Sequence, residues 1–185
     1  MKKYLVIGNP IEHSLSPKLH NYWFKKNNIN ANYDKRKIDK NKIQEIILEI
    51  KNNKLNGVNV TVPFKSDVIP FLDTLSKESQ ITQSVNTIYK QDKKLIGHNT
   101  DIKGFELSLK ETQFNLENKT IFILGAGGVV PSIIYALEKL GTSKIIVSNR
   151  TKQKTENLNK ILQTKEEYIQ EFYIEIAFKT FLRSY

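Results

Sequence analysis

Val58-Asn59-Val60-Thr61-Val62-Pro63-Phe64-Lys65 carries the reading from which the fold follows. Three valines alternate with Asn59 and Thr61, the period of a strand with one apolar face. Pro63 has no N–H to give to a ladder, so the strand stops and the chain turns. A polar face ending in Asn and Thr, with Lys65 just past the tip, has two readings. It is a binding site at a strand end, or it is an ordinary strand end with a solvated lysine.

Outward from this strand, helices and strands alternate. Ile43, Ile46, Ile47 and Ile50 fall at i, i+3, i+4 and i+7 and predict a helix over about 41–53. Residues 31–38 read as a strand with Tyr33 and Ile38 as its apolar members. Tyr4 to Gly8 is a further short strand, closed by the turn Gly8-Asn9-Pro10. On the other side, 67–83 reads as one or two short helices interrupted by Pro70. Residues 85–89 and 94–98 follow as strands joined around Gln91-Asp92. The alternation predicts an α/β unit with a mostly parallel sheet.

Ser14-Leu15-Ser16-Pro17 precedes a helical pattern from about Lys18 to Asn27. Ser16 before a proline at the first helical position predicts an N-cap. Ser14 and Ser16 then lie where hydroxyls and free backbone N–H groups favour an anion. Capping alone accounts for Ser16 and leaves Ser14 unexplained.

A second organisation begins after Asn99-Thr100-Asp101. A linking helix over about 102–112 leads through a polar junction to Thr120-Ile121-Phe122-Ile123-Leu124, a buried strand. It runs directly into Gly125-Ala126-Gly127-Gly128-Val129 and a helix to about Leu140. Strand, glycine turn and helix together are the context in which such a triplet cradles a pyrophosphate; a connecting turn is the simpler alternative. The next strand, 144–148, ends in Asn149-Arg150-Thr151, with Lys154 nearby. A carboxylate there would suit a ribose 2′-hydroxyl; Arg150 suits a 2′-phosphate, which favours NADP over NAD. Val130 stands where the dinucleotide fingerprint usually has Gly or Ala, and Pro131 disfavours helical geometry at Val130, so packing there must differ.

Composition narrows the function classes. A chain of 185 residues with 39% hydrophobic content supports one large or two small domains. No cysteine is present, which fits a reducing compartment, and no stretch reads as a membrane span or a signal peptide; a cytoplasmic protein is the default expectation. The net charge of +10 raises nucleic acid as a partner. Only Arg36, Arg150 and Arg183 are arginines among 29 basic residues, and arginine is the residue that reads base edges, so a small anionic ligand is the better match. His13, His20 and His98 gather no Cys or carboxylate cluster; they read as turn and helix residues, and no metal site is expected.

Four motifs in order resemble the shikimate dehydrogenases: Gly8-Asn9-Pro10 through Ser14-Leu15-Ser16-Pro17, Asn59 to Lys65, Val85-Asn86-Thr87, and Asn99-Thr100-Asp101. Gly125-Ala126-Gly127-Gly128 and Asn149-Arg150-Thr151 are similar to the family's NADP half, and quinate-using relatives share most of these motifs. The resemblance implies a substrate-binding domain over 1–101 and an incomplete Rossmann-type NADP domain over 102–185. It implies reversible, NADP-dependent reduction of 3-dehydroshikimate to shikimate, by a monomer or homodimer. By the family pattern Ser14 and Ser16 hold the substrate carboxylate, and Asn59, Thr61 and Asn86 join Lys65 and Asp101 around the ring. Lys65 and Asp101 would be the catalytic pair. Ketone reduction needs a hydride on one face and a proton donor to the developing alkoxide, and an ammonium at Lys65 supplies the second. The resemblance ends near residue 162. Residues 163–185 match none of the family's later motifs, so the chain reads as a shortened member, either working or a remnant that binds without turnover.

Overall fold

The computed structural model describes residues 1–162 and 169–172. They fall into two compact units, residues 1–100 and residues 101 onward. The first contains β1 (Lys2–Gly8), α1 (Ser16–Lys26), β2 (Ala31–Lys37), α2 (Ile43–Lys51), β3 (Gly57–Val60), β4 (Thr74–Leu75), α3 (Lys77–Thr82), β5 (Thr87–Gln91) and β6 (Lys94–His98). The strands form one sheet in the order β2-β1-β3-β5-β6-β4. Only β5 runs against its neighbours; the pairs β1–β2, β1–β3 and β4–β6 are parallel. This is an α/β fold with a mostly parallel sheet.

The isoleucine stripe builds the core on one face of the sheet. Ile43, Ile46, Ile47 and Ile50 are all buried and pack with Leu5, Ile7, Val58, Val60 and Ile88. Each such side chain is worth about 1.5–3 kcal/mol relative to exposure, so α2 is fixed by its stripe. Alternation along β1 sends Val6 to the opposite face, where it meets Ile11 and Tyr33. Both faces of β1 are therefore covered, as a parallel sheet requires.

Several local expectations change. The first helix begins at Ser16 itself, after Leu15, and no side-chain hydrogen bond caps it. Instead the Ser14 hydroxyl oxygen accepts from the Ser16 backbone N–H at 3.4 Å. β3 ends at Val60, although the next residue still reaches β1, Thr61 N–H donating to the Ile7 carbonyl at 2.9 Å; the Val62–Pro63 peptide beyond it is cis. Pro70 sits in a single 3₁₀ turn, Ile69–Phe71, and the short strand β4 follows where the sequence predicts helix.

The second unit contains α4 (Asp101–Glu111), β7 (Thr120–Leu124), α5 (Val130–Lys139), β8 (Lys144–Ser148), α6 (Lys152–Leu162) and β9 (Ile169–Phe172). Its strands pair in parallel in the order β7-β8-β9. This is the start of a Rossmann-like fold. β9 has no counterpart among the expectations from sequence, which assign no element to the tail 163–185; the rest of that tail lies outside the described residues. Val130, at the fingerprint's irregular position, opens α5 and is 5% exposed, with Pro131 in the first helical turn. Ile134, Leu137, Ile145, Val147 and Leu158 form the core here. The helices α4 and α5 are joined by Glu106, a buried carboxylate held by Lys139 at 2.6 Å and Lys103 at 3.6 Å. Among the described residues no helix is long and apolar enough to cross a membrane.

Candidate functional site

The end of β1 opens onto a cavity of about 320 Å³. Val6, Pro10 and Ile11 form its apolar wall; His13, Ser14, Ser16 and Thr61 supply its polar groups. A volume of this order suits a small ligand held by a few convergent polar groups. Ser14, Ser16 and Thr61, picked out by sequence motif, thus line one space. The Ser14 oxygen already accepts from Ser16 N–H, so its hydroxyl hydrogen is directed elsewhere and suits an anion.

Gly8 makes this convergence possible. A Cβ at position 8 would stand 2.6 Å from Thr61 Cγ2, 3.0 Å from Ile11 Cδ1 and 3.1 Å from the Val62 carbonyl. Only glycine lets β1 end against the 61–63 segment. That segment is tied down by Thr61 N–H to the Ile7 carbonyl at 2.9 Å and Asn9 N–H to the Val62 carbonyl at 3.0 Å. The Asn9–Pro10 peptide is cis, like Val62–Pro63. Lysines tether the same loop: Lys35 donates to the Glu12 carbonyl, and Lys37 pairs with the Glu12 carboxylate at 3.5 Å. The Glu12 carboxyl is held below its ordinary range, chiefly by hydrogen bonds from backbone N–H groups.

Asn59 and Asn86 belong to a hydrogen-bonded network next along the strands. Asn59 accepts from the Tyr33 hydroxyl at 2.6 Å and donates to the Asn86 carbonyl at 3.1 Å and Thr87 Oγ1 at 3.0 Å. Its amide is engaged within the protein on both sides, with Tyr33 at the oxygen and Asn86 and Thr87 at the nitrogen. Asn86 donates to Thr100 Oγ1 at 2.8 Å and accepts from Thr100 N–H at 3.0 Å. Asn99 is buried at 2% exposure and donates to Thr82 Oγ1 and the Ser84 carbonyl. The turn carrying Lys65 is pinned to the same place, because Val85 N–H donates to the Lys65 carbonyl at 2.9 Å. Asp101 follows Thr100 and opens the second unit.

In the second unit, Gly125 takes φ = +102°, a value that favours glycine, and its N–H donates to the Ser148 carbonyl at 2.7 Å. Asn149 closes the turn from the next strand end: its Oδ1 accepts from Ala126 N–H at 3.2 Å, and its amide donates to the Thr151 carbonyl at 2.9 Å. A Cβ at Gly127 or Gly128 would meet nothing within 4 Å. The chain's own packing therefore does not demand glycine there, whereas close approach by a pyrophosphate would. Val129, 40% exposed, precedes α5, and Arg150, Thr151 and Lys154 are exposed past β8. The residues fit a phosphorylated dinucleotide.

Two contributors carry no signal in the sequence. His13 reads as a turn residue, yet it lines the cavity. Tyr33 reads as an apolar strand position, yet its hydroxyl enters the polar network.

Comparison with known proteins places this architecture. Residues 6–88 match the model of the shikimate dehydrogenase substrate binding domain, and residues 106–176 that of shikimate / quinate 5-dehydrogenase. The NADP(+) shikimate dehydrogenase of Pelagibacter ubique is 60% identical over 159 residues, covering 86% of this chain and 60% of that protein. The crystal structure of shikimate dehydrogenase from Aquifex aeolicus superposes with a TM-score of 0.84 at 36% identity, covering 93% of this chain and 62% of that one. Shikimate 5-dehydrogenase from Thermus thermophilus, solved in complex with NADP(H) and shikimate, gives 0.81 at 29% identity, covering 93% and 63%. The chain spans about three fifths of the length of these relatives. On these matches, and on the serine-lined cavity and glycine turn, the chain belongs to the shikimate dehydrogenase family.

Proposed function

We propose that this chain binds shikimate in the serine-lined cavity and NADP at the glycine turn, and interconverts shikimate and 3-dehydroshikimate. The convergence of Ser14, Ser16 and Thr61 on one cavity carries the reading. Hydroxyls beside the first turn of α1 suit a carboxylate, and the apolar wall of Val6, Pro10 and Ile11 suits one face of a carbon ring. Asn86, braced by Thr100, addresses the ring hydroxyls. Gly125, Ala126, Gly127, Gly128 and Val129 would take the pyrophosphate, and Asn149, Arg150, Thr151 and Lys154 the 2′-phosphate end. NADP(H), when bound, supplies the hydride chemistry.

Lys65 is the proton donor in the reductive direction: its ammonium gives a proton to the oxygen that becomes the alcohol, and recovers one in reverse. Asp101 orients the substrate hydroxyl and the lysine. The chemistry needs one proton on the face where charge develops, and a lysine–aspartate pair provides it together with electrostatic stabilisation. A cysteine-free chain of this chemistry suits the cytoplasm.

The test is NADP reduction with shikimate near neutral pH, run beside thermal unfolding with and without shikimate. Turnover together with a shikimate-dependent rise in Tm is expected. Stabilisation without turnover removes the redox half of the reading, and neither effect removes all of it.

A further inference from the structure

We propose that Tyr33 and Thr87 are positioning residues for the substrate-binding amide of Asn86, acting through a hydrogen-bond relay whose direction is fixed at both ends. The inference deepens the reading above and rests on it, because it takes Asn86 as the group that meets the ring hydroxyls.

The relay's polarity follows from groups that act in one direction only. The Asn86 backbone carbonyl can only accept, so the Asn59 side-chain nitrogen, 3.1 Å away, must face it. Asn59 Oδ1 consequently faces Tyr33, whose hydroxyl must donate across 2.6 Å. Tyr33 is suited to this: it is 3% exposed, its ring stacks on His20 at 4.2 Å and 9°, and burial raises the phenol's pKa, so it stays protonated. The Asn59 nitrogen also donates to Thr87 Oγ1 at 3.0 Å, which leaves the single Thr87 hydrogen to go to Asn86 Oδ1, likewise at 3.0 Å.

At the far end the Thr100 backbone N–H can only donate, and it does so to Asn86 Oδ1 at 3.0 Å. The Thr87 hydroxyl and the Thr100 N–H therefore meet the oxygen of the Asn86 amide, and its nitrogen is turned to Thr100 Oγ1 at 2.8 Å, which also lies 3.2 Å from the oxygen. An amide is nearly symmetric in shape, so sterics alone would let it flip. Here a flip would set the nitrogen against the Thr100 N–H, which cannot accept, and would cost the hydrogen bond from Thr87. Thr87 is the hydroxyl in this chain of bonds that both accepts from Asn59 and donates to Asn86. It stands directly opposite Asn59 in the β3–β5 ladder, which is why the relay closes.

Tyr33→Phe keeps the ring on His20 and deletes only the donor. Thr87→Val keeps the shape and cuts the relay at its centre; Thr87→Ser restores the hydroxyl. Shikimate affinity of the full chain, by titration, is expected to fall about five- to thirty-fold in Thr87→Val, the factor for one to two kcal/mol. Tyr33→Phe is expected to lose less, and Thr87→Ser to return within about threefold of the wild type. Amide hydrogen exchange at Thr100, followed without shikimate, should quicken in Thr87→Val and return to the parent rate in Thr87→Ser. A wild-type chain that binds shikimate, with Thr87→Val and Tyr33→Phe binding equally well, overturns the relay alone. So does a loss in Thr87→Val that serine fails to rescue or that leaves Thr100 exchange unmoved. A wild-type chain that does not bind shikimate overturns the underlying reading, and this inference with it.

Discussion

Replacing Gly8 with alanine tests the cavity at its tightest point. The added Cβ would lie 2.6 Å from Thr61 Cγ2, whereas carbon atoms rest at about 3.5–4.0 Å, so roughly 1 Å must open. The backbone cannot give that space cheaply, because Thr61 and Asn9 hold the two segments together by bonds of 2.9 and 3.0 Å. Overpacking of this kind costs about 1–3 kcal/mol. For a unit of about 100 residues each kcal/mol is worth about 4–8 °C, so Tm should fall by about 5–20 °C. Circular dichroism follows the transition, since Trp23, the sole tryptophan, is 54% exposed on α1 already in the folded chain. The companion is Gly8→Ala combined with Thr61→Ser, which deletes Cγ2 and leaves contacts of 3.0 and 3.1 Å to Ile11 and Val62. Measured against Thr61→Ser alone, the alanine should then cost less than half as much. An unchanged Tm in Gly8→Ala, or an undiminished penalty in the serine background, would refute the close-approach argument.

Four further outcomes are expected. Gly127→Ala should leave stability within about 0.5 kcal/mol of the parent, since its Cβ meets nothing within 4 Å, while NADP binding by titration weakens at least tenfold. Arg150→Ala should weaken NADP about ten- to a hundredfold, the loss of a charge-assisted bond worth about 1.5–3 kcal/mol, and leave NAD nearly unchanged; equal losses would show that Arg150 does not read the phosphate. Lys65→Ala should abolish turnover while shikimate still raises Tm; retained turnover removes Lys65 from its role. The hydrogen bond from Lys139, with the charges of Lys139 and Lys103, holds the Glu106 carboxyl below its ordinary value, so its stabilisation is complete above that value, near 4.5, and is lost as pH falls through the depressed one. In acid titrations followed by circular dichroism, Glu106→Gln should start less stable and lose less stability below about pH 5 than the parent.

Where local pattern dictates structure, the sequence is readable. The isoleucine stripe of α2 and the alternation of Val58 and Val60 in β3 are periodic signals that become core, whereas Val62, past the strand's end, is 58% exposed. The serine motif is readable because a helix start is a local event, although the capping geometry is not: Ser14, two residues earlier, accepts from the Ser16 N–H, and Ser16 caps nothing with its own side chain. β4 has two residues and β9 four, too short for any period to show; each exists because a partner strand is already in place. Tyr33 is hidden for a different reason. Its partner Asn59 lies 26 positions away, and the two meet only because β1 stands between β2 and β3. Nothing around residue 33 announces that arrangement.

The polar network is placed by the apolar core. Asn59 stands opposite Val6 on β1 and opposite Thr87 on β5, and Thr87 stands opposite His98 on β6. A slip of one residue in β3 would turn Asn59 into the core and expose Val58 and Val60, now each 2% exposed. Exposing the two valines costs about 3–6 kcal/mol, and burying an unpaired amide about 1–3 more. No single bond of the network approaches that sum, so the valines set the register and the amides follow. A change that loosens the core beneath β3, such as Val58→Ala, should therefore disturb shikimate binding although the side chain points away from the network, whereas deleting one hydroxyl of the network should leave the register of β3 intact.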